Sequence, residues 1–223
     1  MKTIAISQSS TRTSVRMVRL TCGILSSAWL IGINIYVPMQ YEGYSLSELT
    51  ISELSAIDAP TRELWLLLAL PYPILFGAFG WGVIQCAGKN RALRVVGVLT
   101  ILYAILNLYW PPMHQRGVAP TLTDTLHITW AAVSVLLMWA VMGFGAASFG
   151  IRFRIYTLSS IALHIVFGIL TSLDAPNIPT NGPTPWIGIW ERINISIFLI
   201  WVIVLALLLW RRESAPVSGT RNN

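Results

Sequence analysis

The stretch WIGIWERINISIFLIWVIVLALLLW, Trp186 to Trp210, decides the fold. Apart from Glu191 and Arg192 it holds no ionisable side chain, and Arg211 and Arg212 stop it. A helix crossing the hydrocarbon core of a bilayer needs about 20 apolar residues, because the core is about 30 Å thick and each residue rises about 1.5 Å. This stretch meets both conditions. Comparable apolar runs recur at 18–38, 64–86, 95–110, 126–148 and 155–173. They lack the apolar–polar alternation of membrane strands. The sequence therefore predicts an all-α, polytopic membrane helical bundle. Six transmembrane helices occupy residues 18–210, between polar tails at 1–17 and 211–223.

Composition agrees with that reading. Of the 223 residues, 55% are hydrophobic and 11% charged, with mean hydropathy +0.65. A soluble domain carries about 25% charged residues, so most of this surface is not built for water. The net charge of +6 invites a nucleic-acid partner. The basic residues stand instead in short groups between apolar runs, where topology signals belong. The expected partner is the lipid bilayer, with no nucleic acid. Lys2, Arg12, Arg16, Arg19, Lys89, Arg91, Arg94, Arg152, Arg154, Arg211, Arg212 and Arg221 fall on the side of the termini, and only Arg62, Arg116 and Arg192 on the other. The positive-inside rule then makes both termini cytoplasmic and the chain a multi-pass protein of the cell (cytoplasmic) membrane. Cys22 and Cys86 fall near inner helix ends, in a normally reducing compartment, and are expected as free thiols. The first apolar run is long for a signal peptide and ends in no Ala-x-Ala site, so it is read as a retained helix.

Local signals add detail. Pro71 and Pro73 should kink the second helix, and Gly77, Gly80 and Gly82 leave room for a close neighbour. Residues 39–63 form a polar connection, within which 45–58 reads as a short amphipathic helix. Thr50 and Glu53 have the spacing of a capping box, each satisfying the other's backbone donor.

The candidate site follows from depth. Glu42, Glu48, Glu53, Asp58, Glu63, Asp124, Asp174 and Glu191 lie on the outer side, with Glu213 alone inside. Asn34, Asn107, His127, Glu191 and Asn194 lie in or near the outer thirds of their helices, above apolar inner halves. Polar groups in hydrocarbon are costly unless they face the bundle interior or a wet cavity. This predicts a polar cup open outwards. Asp124 and His127 share a helix face, as do Glu191 and Asn194.

In the plainer reading these acids cap helix starts and pair with Arg62, Arg116 and Arg192. In the functional reading, Glu53, His114, Arg116, Asp124, His127, Glu191, Arg192 and Asn194 bind a small polar or lipid-headgroup ligand, or move it. An alternative from the same residues is a membrane-embedded hydrolase or transferase acting on a lipid or envelope precursor. His127, oriented by Asp124, would take a proton, with Glu191 a further catalytic candidate and Arg116 or Arg192 holding an anion. His114, Asp124, His127 and Glu191 also form an N/O donor set suited to zinc, although without HExxH spacing. Ser52 and Ser55 are conceivable nucleophiles, but nothing in the sequence fixes a base beside them. His164, alone near mid-depth, reads as hydrogen-bonded to a neighbouring helix. The composition is equally compatible with a monomer and a homo-oligomer.

Four motifs together carry a resemblance: Ser52-Glu53-Leu54-Ser55-Ala56, Pro111-Pro112-Met113-His114-Gln115-Arg116, Asp124-Thr125-Leu126-His127 and Trp190-Glu191-Arg192-Ile193-Asn194. Through them the chain resembles a family of small bacterial membrane proteins catalogued as domain of unknown function 998. The resemblance implies a bacterial inner-membrane protein of six helices with the motif residues gathered on the outer side. It implies no activity.

Overall fold

The computed structural model describes residues 2–214, with side chains from residue 13 onward. The described residues form seven α-helices, three short 3-10 turns and no strand. The helices are α1 Lys2–Tyr36, α2 Arg62–Ala69, α3 Pro71–Cys86, α4 Arg91–Leu106, α5 Leu122–Ser148, α6 Ile151–Asp174 and α7 Ile187–Ser214. Helix α1 packs on α3, α3 on α4, α4 on α5, α5 on α6, α6 on α7 and α7 on α1, which closes a ring. Helices α3 and α7 also touch through its centre. The fold is the expected all-helical bundle with the composition of a membrane protein.

Helix bounds differ from those of the apolar runs, and polar caps set the starts of α4 and α5. The side chain of Asn90 accepts from the Leu93 amide, so α4 begins at Arg91 rather than 95 and ends at Leu106 rather than 110. Thr121 caps α5, which begins at Leu122 rather than 126, and Gly150 precedes α6, which begins at Ile151 rather than 155. Residues 2–17, read as a tail, continue α1. Residues 211–214 continue α7, while 215–223 lie outside the described residues. The second expected helix is split between α2 and α3 at Leu70, where Pro71 removes an amide donor.

Among the described residues, five spans are long and apolar enough to cross a membrane: Thr13–Gln40, Arg62–Cys86, Leu122–Ser148, Ile151–Asn177 and Ile187–Ser214. Helix α4 has 16 residues and is shorter than these. It nevertheless runs beside most of α5. Asn90 donates to Ser148 O at one end (3.0 Å), and Trp130 Nε1 donates to Leu106 O near the other (3.1 Å).

The bundle has two unlike ends. At one, the turns at 87–90 and 149–150 are short, and Arg16 pairs with Glu213 across α1 and α7 at 3.3 Å. At the other, three longer loops, 37–61, 107–121 and 175–186, meet. Their contacts include Ile57 N to Met113 O (2.8 Å), Gly117 N to Ile178 O (3.2 Å) and Gly188 N to Ser47 O (2.8 Å). We call these the turn end and the loop end. Cys22 and Cys86 are both free thiols.

Between the ends, the core is aromatic. Phe76 stacks near Tyr72 and sits edge-on to Tyr103 and Phe198, with centroids 5.4–6.0 Å apart. Trp201 is fully buried against Phe198 and donates to Thr157 Oγ1 at 2.9 Å, tying α7 to α6. The α3 glycines do what their spacing suggests. A Cβ on Gly80 would meet Gly97 O at 2.9 Å, and one on Gly82 would meet Arg19 Cβ at 2.9 Å. The absent side chains are what allow α3 to lie so close to α4 and α1. Gly80→Val should therefore force α3 and α4 apart and destabilise the protein by about 1–3 kcal/mol. Thermal unfolding in detergent measures this, with Gly143→Ala, which meets nothing within 4 Å, as the comparison expected to change little.

Candidate functional site

The loop end is organised around a segment with little regular structure. Residues 45–58 do not form the expected amphipathic helix. They form turns and a single 3-10 turn, Ser52–Ser55, ended by Asp58 at a left-handed φ of 63°. The capping box is present: Glu53 Oε2 accepts from Thr50 N (2.7 Å) and Thr50 Oγ1 (2.9 Å), and Thr50 Oγ1 accepts from Glu53 N (3.2 Å). The carbonyls that a helix would use are instead taken by distant donors. Thr61 Oγ1 donates to Leu54 O at 2.8 Å, Arg62 donates to Ser55 O, and Gln115 Nε2 donates to Ile57 O at 3.2 Å.

Two of the expected site residues hold this segment from below and from the side. Glu53, 6% exposed, receives Arg116 Nε at 2.5 Å, and Arg116 also donates to Glu48 O at 2.6 Å. Arg192 donates to Leu46 O and Leu49 O, both at 3.1 Å, and to Tyr44 Oη at 2.7 Å. Burial pushes the Tyr44 phenol well above its usual range, so it stays protonated and donates to Thr50 O at 2.6 Å. Both guanidiniums are thus committed to the protein's own carbonyls and acid, and neither lines the hollows described below. The start of α7 is pressed onto the same segment. Its Gly188 amide donates to Ser47 O, and a Cβ there would collide with Leu46 O and Leu49 O.

Asp124 and His127 share a face but not a partner. Asp124 completes a capping box with Thr121, whose amide it accepts at 2.8 Å, and takes both His114 N and His114 Nδ1 at 2.8 Å. The expected orientation of His127 by Asp124 is therefore corrected: the carboxylate turns back to the helix start, and His127 lies a turn deeper. His127, 7% exposed, places Nδ1 2.7 Å from Pro111 O and Nε2 3.2 Å from Ser52 Oγ. A carbonyl oxygen only accepts, so Nδ1 carries a proton, and the neutral ring offers Nε2 to Ser52 as an acceptor. Glu191 accepts from Ile51 N and lies 3.5 Å from Ser52 Oγ through Oε1. Ser52 thus stands between His127 and Glu191, which come from α5 and α7.

The remaining polar residues form other groups. Asn194 donates to His164 O at 2.5 Å and lies 3.3 Å from His164 Nδ1, which also accepts from Trp139 Nε1 at 3.1 Å. His164 is thereby tied to neighbouring helices, as its isolation suggests. Among the described residues no three His, Cys, Asp or Glu side chains gather as a metal-binding set. His114, Asp124, His127 and Glu191 divide into the two arrangements above.

Three hollows meet at Ser52 and Glu191. One of about 150 Å³ lies in the bundle centre, bounded by Asn34, Tyr72, Asn107 and Phe198. One of about 250 Å³ lies under the loops, beside His114, Asp124, His127 and Pro179. The largest, about 640 Å³, is an apolar slot between α5 and α6. Its walls include Ala131, Val135, Trp139, Ile165 and Ile169, and Asn194 and Ile195 of α7 form its floor. Ile128, Leu136, Ile169 and Leu173 on its rim are more than half exposed, so the slot opens sideways. The sequence left Ser52 without a base because His127 is 75 residues away. The signal available was its place beside Glu53 in a motif.

The buried Arg116–Glu53 pair should matter to the fold more than to any chemistry. Removing one partner strands a buried charge at a cost of about 3–5 kcal/mol. Thermal unfolding of Glu53→Gln, Arg116→Met and the double variant should show each single change as strongly destabilising and the double change as less than their sum.

No curated protein and no solved structure matches the chain. The family described as "Protein of unknown function (DUF998)" matches residues 24–208, from within α1 to within α7, and so includes all the residues of the Ser52 site. The chain is a member of that family.

Proposed function

We propose that this membrane protein binds an amphiphile. Its polar head sits at Ser52, His127 and Glu191, and its tail lies in the slot between α5 and α6. The observation that carries this reading is the continuity of the two: the apolar slot ends on Ser52 and Glu191 and is open along its side. Small-molecule sites are mostly apolar hollows with a few convergent polar groups, and this one has the polarity gradient of a lipid. A membrane helix pair that parts on one face offers an apolar tail a route that never crosses water.

The distribution of basic residues supports placing the turn end in the cytoplasm and the site on the extracytoplasmic side of a cytoplasmic membrane. In that arrangement α4 completes a sixth crossing. Nothing on the apolar floor below the site, built from Phe76, Phe198 and Trp201, favours passage of a polar group to the other face. Binding is therefore favoured over transport. The donor atoms of His114, Asp124, His127 and Glu191 remain a candidate set for zinc only if the two groups move together. Elemental analysis of gently purified protein tests that.

The reading is tested with vesicles of phosphatidylethanolamine and phosphatidylglycerol that include a phosphatidylethanolamine carrying a photoreactive tail. Cross-links should concentrate at residues 128–139 and 165–173. Ala131→Trp, which fills the polar end of the slot, should lower their yield about tenfold, equivalent to about 1.4 kcal/mol of binding. Equal labelling of Ile74, Leu102 and Ile200, which are as exposed elsewhere on the bundle, with no effect of Ala131→Trp, would remove the site.

A further inference from the structure

The Ser52 site contains more than binding requires. Its hydroxyl lies 3.2 Å from His127 Nε2, and the opposite ring nitrogen is fixed 2.7 Å from Pro111 O. A nucleophile, a base within hydrogen-bond reach and a third group that orients the base are the parts of an activated serine. Here a backbone carbonyl fills the role more often given to a carboxylate. It sets the same tautomer, with the proton on Nδ1 and the lone pair of Nε2 towards the serine.

The turn that presents Ser52 is held on every side. Thr50 and Glu53 close its start, Glu191 holds the Ile51 amide, and Thr61 and Arg62 hold its last carbonyls. Trp110 stands edge-on to the His127 ring at 5.7 Å and restrains it from the other side. Rigid support of this kind positions a reacting group, and a merely solvated serine does not need it.

Resting on the binding reading above, we propose that Ser52 and His127 form a nucleophile–base pair that cleaves the carboxylic ester of an acyl lipid held in the α5–α6 slot. The chemistry of the surroundings selects an ester over a phosphoryl group. Arg116 and Arg192 are engaged elsewhere, and the acid beside Ser52 is the buried Glu191, at 3.5 Å. An anionic phosphoryl group would find no arginine or lysine lining the three hollows to neutralise it, whereas an ester carbonyl is neutral on arrival.

The steps balance as follows. Ser52 Oγ attacks the ester carbonyl carbon, and His127 Nε2 takes the serine proton. The bond from the carbonyl carbon to the alcohol oxygen breaks, and His127 returns that proton to the departing alcohol. Water from the hollow under the loops then attacks the acyl-serine. His127 takes a proton from this water and delivers it to Ser52 Oγ as the fatty acid leaves. One ester and one water give one alcohol and one fatty acid.

The test uses the full-length protein in bilayer nanodiscs. A fluorophosphonate probe should label Ser52, as located by peptide mapping. Vesicles of a diether phosphatidylcholine that carry dioleoylglycerol, an uncharged acyl lipid, should release oleate. Ser52→Ala should abolish both signals, and His127→Gln should lower both by about a hundredfold or more, the usual contribution of a general base. Ser52→Cys supplies a readout independent of turnover. Iodoacetamide should alkylate Cys at 52 faster than Cys22 or Cys86, and adding His127→Gln should remove that advantage. Slot cross-linking with the photoreactive lipid should persist in Ser52→Ala. Absence of label and of oleate release, with cross-linking retained, would overturn the nucleophile and leave the binding reading intact. Oleate release that survives Ser52→Ala would also overturn it. Loss of cross-linking in the unaltered protein would overturn both.

Discussion

Backbone amides and carbonyls outside a helix must find partners, and at the rim of a hydrocarbon layer water supplies few of them. Residues 41–61 are such a stretch, and the loop end is built around satisfying it. Glu53, Glu191, Arg62, Arg116, Arg192, Gln115 and Thr61 each place a side-chain polar atom on that backbone or on the turn it forms. The ionisable residues that look like a binding set in one dimension are therefore mostly a scaffold in three. The scaffold also brings Ser52, His127 and Glu191, from three separate segments, to a common space.

This division explains why Asp124 and His127, neighbours on one helix face, do different things. A carboxylate at the first turn of a helix is drawn to free amides and to the positive end of the helix dipole. Asp124 follows that preference and takes His114 with it. One turn further in, the free amides have ended. His127 meets the carbonyl of Pro111, in a peptide unit that the ring of Pro112 leaves without a donor, and so receives an orientation that no acid provides.

Much of this was legible in the sequence. The apolar runs set the bundle, Pro71 set the break after α2, and Gly80 and Gly82 marked a close crossing. The Thr50–Glu53 box was readable from spacing alone, and so was the gathering of acids and histidines at one end. Helix starts were less legible, since Asn90 and Thr121 drew helices outwards over residues that looked like loop. Pairings between distant segments were not legible. Which face Ser52 presents depends on whether 45–58 is a helix or a set of turns. That was decided by donors at Thr61, Arg62 and Gln115, whose reach no local pattern records.

The contact of Glu191 with Ile51 joins residues 140 apart, and Gly188 lets the last helix seat directly on a segment made near the beginning. A ribosome delivers residues 41–61 long before it delivers α7. Until α7 is made, the Ile51 amide lacks its Glu191 partner and the hollow that the segment borders lacks Asn194 and Ile195. Only a chain extended through its final hydrophobic stretch brings the parts into register. The arrangement around Ser52 is therefore a late product of biogenesis, complete only when the last helix has joined the ring.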